Sequence, residues 1–345
     1  MMKLKRGLLV LTVLGVFAAG AFATFLGWDW NTPYKKTPGR VTVTIVKGMK
    51  AGQVLEMMSK KGLVRSRLSF KLAFAVFGRP RKIMTGTYSF DKPESPLGII
   101  DKLNKGEVTL TKVTIPEGLR DREIAKILAD AGLGSREAFL KAMNDPSFIR
   151  PLDPRAQKLE GYLFPETYLV DPGLDEESIV HVLVDGFREW WTRTGEPSGT
   201  TLSPREIVTL ASLIEKETGS PKERGLIAGV FMNRLRLGMP LQTDPTIIFA
   251  QIMDGDYKGY LTRKDLAYPS PYNTYLHGGL PPGPICNPGQ ASLDAVIHPT
   301  RSSYLYFVSR NDGTHAFSKT LAEHNHWVSV YQHRGGHGRN GKKAQ

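Results

Sequence analysis

Apolar and polar positions divide the chain into three stretches of different character. The first is an uncharged run from Gly7 to Trp28 that follows Lys3, Lys5 and Arg6. It is long enough to cross a bilayer as one helix, with its basic flank on the cytoplasmic side. Ala19-Gly20-Ala21 and Ala21-Phe22-Ala23 resemble signal-peptide cleavage sites. The run nevertheless continues through Phe25, Leu26 and Trp28, and Trp28 and Trp30 suit a membrane interface. The favoured reading is therefore a retained anchor over 7–28, with 1–6 cytoplasmic and the rest of the chain extracytoplasmic. A polar linker with Pro33 and Pro38 fills 29–39.

The second stretch contains an internal repeat. Val43-Thr44-Ile45-x-x-Gly48 aligns without gaps with Val113-Thr114-Ile115-x-x-Gly118, and the same register pairs Gly62-Leu63 with Gly132-Leu133. Each copy reads as a β-branched strand, a glycine turn and an amphipathic helix stopped by glycine. The helices are expected over about 51–61 and 120–131, the second with Ile124, Ile127 and Leu128 as its buried stripe. Further helices are expected at 66–77, 96–105 and 135–143, and a strand at 85–90.

The third stretch, from about residue 156, begins with the aromatic segment Glu160-Gly161-Tyr162-Leu163-Phe164-Pro165-Glu166-Thr167-Tyr168. Helices are expected at 177–191, 204–217 and 223–236. The long segment 238–299, rich in Gly, Pro, Asn and Tyr, reads as loop-dominated, and loops of that length are usually functional. Strands at 303–308 and 316–318 and a helix from Leu321 to about Gln332 complete the pattern. The fold class is α+β: a membrane helix, a small α/β module over 40–110, a second repeat unit over 111–155 that bridges to the core, and a larger mixed domain over 156–332.

The helix at 204–217 carries the candidate chemistry. Ser203, Pro204 and Glu206 form a capping box with proline at the first turn, and Ile207, Leu210, Ala211 and Ile214 recur at helical spacing. Glu215 and Glu217 then project to opposite flanks of the apolar stripe, with Lys216 toward solvent. A flanking carboxyl group is partly desolvated, which raises its pKa as a general acid near neutral pH requires. An acidic pair on a helix is ordinarily a solvated face, so this motif gains its meaning from the rest of the chain.

Charge and rare residues narrow the field. The formal net charge of +13 first suggests nucleic acid, but an exported chain seldom meets it. The Lys and Arg residues are also scattered without a stacking module, so no nucleic-acid partner is expected. Anionic lipid and acidic wall polymers fit better. The tail over 333–345, with Arg334, Arg339, Lys342 and Lys343, reads as a solvated basic end. Cys286, the lone cysteine, precludes an intrachain disulfide and reads as a small buried filler within a Pro/Gly-rich loop. His298, His315, His324 and His326 lack a metal-ligand motif, and His315 and His324 read as hydrogen-bonded structural residues. No metal and no cofactor are expected.

Several segments together resemble a known family. They are Glu160 to Tyr168; Ile214-Glu215-Lys216-Glu217-Thr218; Phe231-Met232-Asn233-Arg234-Leu235; Leu241-Gln242-Thr243-Asp244-Pro245-Thr246; Tyr272-Asn273-Thr274-Tyr275; and Gly279 to Ile285. They continue with Asn287-Pro288-Gly289, His298-Pro299, Tyr304 to Val308 and His324-Asn325. In this order and spacing the chain resembles the YceG-like endolytic murein transglycosylases (MltG family), from the anchor to about residue 332. The resemblance implies a LysM-like portion over roughly 40–110 and a catalytic domain over 156–332. It implies a lyase that cuts peptidoglycan glycan strands at the β-1,4 bond after N-acetylmuramic acid and leaves a 1,6-anhydro end. Its catalytic glutamate falls on Glu215.

One carboxyl group could serve such a reaction as acid and then as base, with Glu217 and Asp244 the nearest second carboxyls. Gln242, Thr243, Asp244, Tyr272, Asn273 and Tyr275, with Glu217, are candidate substrate-binding residues, since amides and hydroxyls bond sugars and tyrosine faces stack on pyranose rings. Each also has a structural reading: Asp244 as a turn or cap residue, the tyrosines as core plugs, and Arg234 as an organiser of the loop. The partners implied are glycan strands, the membrane and peptidoglycan synthases. The competing readings are a non-catalytic wall-binding scaffold and a hydrolytic muramidase.

Overall fold

The computed structural model describes residues 2–46, 48–78, 83–194 and 200–333, and the basic tail beyond His333 lies outside them. The chain is mixed α+β and divides into two compact units, residues 1–111 with 169–174, and residues 112–168 with 175–345.

The first unit begins with α1 (Met2–Asn31), whose segment Leu11–Asn31 has a mean hydropathy of 1.8 and is long and apolar enough to cross a membrane. β1 (Val41–Ile45) pairs antiparallel with β2 (Gly86–Phe90), placing Val43 opposite Tyr88. Between them lie α2 (Ala51–Lys60) and α3 (Arg67–Phe77), and α4 (Pro96–Lys105) follows. The alternation of β1 buries Val41, Val43 and Ile45 against Val54, Met58, Phe70, Phe74, Ile99 and Leu103. The segment read as a linker is tied to this unit. Asp29 is buried and paired with Arg65 at 3.2 Å, Tyr34 N–H donates to the Glu94 carbonyl, and Lys36 N–H donates to that of Gly62.

The second unit contains the second repeat copy: β3 (Thr111–Thr114), then α5 (Asp121–Asp130) and α6 (Arg136–Met143). The two copies share their local geometry. Gly48 and Gly118 have φ of +86° and +76°, Gly62 and Gly132 have φ of +70° and +73°, and Ser66 and Ser135 cap the helices that follow. The end of β3 meets the start of β4 (Thr167–Val170): Ile115 N–H donates to the Glu166 carbonyl, and the Thr114 and Thr167 hydroxyls lie 2.9 Å apart. α7 (Glu176–Thr194), α8 (Pro204–Glu217) and α9 (Arg224–Arg236) come next.

Within the segment read as loop-dominated, two helices form, α10 (Asp244–Asp254) and α11 (Gln290–Ile297). Pro245 in the first turn, Gly255 in the left-handed region after the last turn, and the buried Thr246, Ile247, Phe249 and Ala250 account for α10. The hairpin β5 (Tyr306–Ser309) and β6 (His315–Ser318) and the helix α12 (Leu321–Val328) end the unit.

α8 is the central element here. Its capping box forms as the sequence implies, with Ser203 and Glu206 bonded reciprocally. Every residue from Ile207 to Ile214 is buried, beyond the expected stripe, because α9, α10 and α11 all pack on this helix. Its first and last turns are less buried, and Lys216 is exposed.

Candidate active site

The divergence of the two glutamates follows from that last turn. Glu215 points toward the start of α11. Its Oε2 accepts from Ser292 Oγ at 2.7 Å and Gly289 N–H at 3.1 Å, and Arg224 Nη2 lies 3.4 Å from Oε1. Its side chain is 7% exposed. Arg224 also approaches Glu117 at 3.7 Å, and burial together with the charge of Glu215 pushes the Glu117 carboxyl up. Both oxygens of Glu215 are thus engaged as acceptors, and Glu215 does not line the cleft beside the tyrosine-rich loop.

Glu217 does line that cleft, which has a volume of about 480 Å³ and an open, mostly polar mouth. Thr243 Oγ1 donates a hydrogen bond to Glu217 Oε1. Burial and the neighbouring Asp244 push the Glu217 carboxyl up to about 7, against the Thr243 bond and the Arg234 charge, which act downward. A carboxyl group balanced near neutrality in an accessible cleft can both give and take a proton.

The loop opposite is held by hydroxyls. Thr243 N–H donates to Thr274 Oγ1, the Thr246 and Thr274 hydroxyls lie 3.0 Å apart, and Thr246 Oγ1 donates to the Thr243 carbonyl. This web holds Gln242 at φ +52°, a left-handed conformation unusual outside glycine, and leaves it exposed on the cleft wall. Tyr275 OH donates to Asp244 Oδ1 at 2.6 Å, and both residues line the cleft. Thr243 is buried, so its visible contact is with Glu217.

Besides Thr243, two more of the residues expected to touch substrate are not brought into the cleft. Asn273 is fully buried. Its Nδ2 donates to the Leu266 and Tyr268 carbonyls and its Oδ1 accepts from Tyr275 N–H, so it shapes the loop from within. Tyr272 packs its ring on Phe249, with centroids 4.8 Å apart.

The far wall comes from the C-terminal hairpin and α12, through Tyr306, His315, His324 and Asn325. His315 fits its structural reading, with Nδ1 2.8 Å from Glu223 Oε2. His324 differs from its expected hydrogen-bonded role. Its ring stacks on Tyr306, its Nδ1 is buried without a hydrogen-bond partner among the described residues, and burial and Arg234 lower its pKa. The Tyr304–Val308 and His324-Asn325 segments carried this wall in the sequence, but nothing local ties them to a glutamate far upstream. Arg234 joins the walls. Its guanidinium donates to the Leu305, Pro240 and Leu241 carbonyls and lies 5.0 Å from the Tyr306 ring centroid.

Other motif residues form a buried clamp. Asn287 Oδ1 accepts from Gly161 and Leu163 N–H, while its Nδ2 donates to the Leu119 carbonyl and to Glu160 Oε1. Gly161 has φ +93°, and a Cβ there would come 2.5 Å from Pro284. Burial and Asp121 push Glu160 up to about 8, opposed by Lys158. Cys286 is fully buried beside this clamp, its thiol donating to the Ser212 carbonyl, and burial raises its pKa.

The fold and cleft define a two-unit mixed α+β protein with one near-neutral carboxyl group facing an open polar cleft. The chain belongs to the YceG-like family, which matches residues 43–329. An endolytic murein transglycosylase from Bacillus subtilis (strain 168) is 33% identical over 308 residues, 84% of this chain and 84% of that protein. One from Streptococcus pneumoniae serotype 2 is 32% identical over 304 residues, covering 78% of this chain and 54% of the longer relative. A crystal structure of a yceG-like protein from Listeria monocytogenes is 31% identical. It superposes with a TM-score of 0.53, covering 84% of this chain and 98% of that one.

Proposed function

We propose that this chain is an endolytic murein transglycosylase that cuts glycan strands of peptidoglycan, with Glu217 as its single acid and base. The observation that carries the reading is the Glu217 carboxyl, pushed up to about 7 in an open cleft. Family membership and the names of the relatives support the substrate class. Glu217 takes the role expected of Glu215, whose oxygens are engaged by Arg224, Ser292 and Gly289.

In this mechanism Glu217 donates its proton to the glycosidic oxygen after N-acetylmuramic acid, and the bond to the anomeric carbon breaks. The muramyl 6-hydroxyl attacks that carbon and passes its proton back to Glu217. A 1,6-anhydro ring and a free 4-hydroxyl result, and no water is consumed. The nucleophile is tethered to the reacting sugar, so closure gains from proximity. Burial, aided by the charge of Asp244, favours the protonated form of Glu217, and the Asp244 carboxylate, held by Tyr275, stabilises the positive charge that develops on the ring. Gln242 and Tyr275 offer amide and hydroxyl contacts to the glycan.

α1 is read as the membrane anchor, with the N-terminus cytoplasmic and the chain that follows the anchor outside. Residues 40–110 are read as the LysM-like module, a reading that the compact α/β core of the first unit supports. Synthases that extend glycan at the membrane are natural neighbours.

Asp244 in the same cleft favours one second reading, a hydrolytic muramidase, because hydrolysis needs a second carboxyl group. Mass spectrometry of products from uncrosslinked glycan tests both. Anhydro ends support the transglycosylase, reducing ends assign the muramidase, and binding without cleavage leaves only a scaffold.

A further inference from the structure

We infer that α3 lies on the membrane surface beside the anchor and presents an apolar strip to lipid. This rests on reading α1 as a membrane anchor and goes beyond it. α3 buries Phe70, Ala73 and Phe74 in the first unit. Its other side carries Leu68, Leu72 and Val76 at four-residue spacing, with Leu68 61% and Val76 65% exposed. A single exposed leucine needs no explanation. An aligned strip with Arg67 and Lys71 beside it is the pattern of an interfacial helix, where basic side chains reach headgroups.

The position of the strip identifies its occupant. The Trp30 indole N–H donates to the Ser69 carbonyl at 3.0 Å, and its ring meets Phe77 edge-on at 5.7 Å. Arg65, just before the α3 cap, pairs with buried Asp29 and lies 4.4 Å from the Trp28 ring centroid. Contacts from 65 to 77 therefore run along α3 against residues 28–30, so α3 lies across the end of α1. Among the described residues, α1 is exposed from Val13 to Phe25. If lipid surrounds that segment up to Trp28, the strip adjoining Ser69 and Phe77 meets the same interfacial layer. Lipid, with anionic headgroups near Arg67 and Lys71, is thus the partner.

The test uses the full chain in phosphatidylethanolamine–phosphatidylglycerol proteoliposomes, with a polarity-sensitive dye on single cysteines replacing Phe17, Leu68 or Val76 in a Cys286→Ala background. Brominated acyl chains quench dyes that reach lipid. Emission is expected to be lost at all three positions. Quenching at 17 with full emission at 68 and 76 would overturn the inference and leave the anchor standing. Full emission at 17 would remove the anchor, and the inference with it. Unquenched, blue-shifted emission at 68 and 76 that fades on dilution would assign the strip to a second copy of the chain and overturn the inference.

Discussion

Glu215 and Glu217 close the same helix, yet the first is bound by Ser292, Gly289 and Arg224 while the second faces an open cleft beside Thr243. Two steps of about 100° place them on opposite flanks. Packing gives them different surroundings, because α11 meets one flank and the Gln242–Asp244 turn borders the other.

Glu215 is therefore expected to matter for stability. Glu215→Ala leaves a buried arginine with the Ser292 hydroxyl and, as its remaining charged partner among the described residues, only the weaker Glu117 contact. Loss of one partner of a buried pair costs about 3 kcal/mol. Urea unfolding of parent and variant measures this, and a change below about 0.5 kcal/mol, the scale of ordinary surface substitutions, would remove the structural role.

The pH dependence follows from Glu217. Turnover needs its acid form, so cleavage is expected to hold below pH 7 and fall as pH rises through about 7. The carboxyl is raised from its unfolded value of about 4.3. Its contribution to stability is thus complete below that value and is lost as pH rises toward 7. Glu217→Gln, which has no charge to bury, should gain on the parent by about 3–4 kcal/mol at pH 8, and the gain should vanish at pH 4. Unfolding at both pH values reads the sign.

Thr243→Val removes the hydroxyl that donates to Glu217 and lowers its pKa. A hydrogen bond contributes about 1 kcal/mol, equivalent to somewhat under about one pKa unit. The alkaline limb of the rate profile should move up by that amount, with a lower maximal rate from a less fixed carboxyl. An unmoved limb would show that the hydroxyl does not tune the acid.

Asn287→Ala breaks four hydrogen bonds at a fully buried side chain. Orphaned buried groups cost about 1–3 kcal/mol each, so a total loss of about 3–5 kcal/mol is expected in thermal or urea unfolding. Asn287→Asp should recover only part of this loss, because it retains the acceptor for Gly161 and Leu163 but not the donor to Leu119.

Local rules made much of this chain legible. The cap at Ser203, the glycine stops at Gly62 and Gly132, and the apolar face of α8 follow from spacing alone. α10 and α11 were hidden because Gly, Pro and Asn at their borders outweigh short apolar runs. The cleft was only half legible. Gln242 and Asp244 come from one compact motif, and they line one cleft with Glu217 and with Tyr275 of a second motif. Tyr272 and Asn273 share that second motif but turn inward, since one amide is needed to satisfy loop carbonyls and one ring to cover Phe249. The choice between Glu215 and Glu217 depended on Arg224 and Ser292, partners that only tertiary packing supplies.

The most direct measurement compares Glu217→Gln and Glu215→Gln on uncrosslinked glycan, with anhydro-muramyl products counted by mass spectrometry below the unfolding temperature of both. With Glu217 as the acid, its variant forms no anhydro ends while the Glu215 variant retains most of its turnover. Full activity in Glu217→Gln, with loss confined to Glu215→Gln in a protein that remains folded, would contradict the assignment.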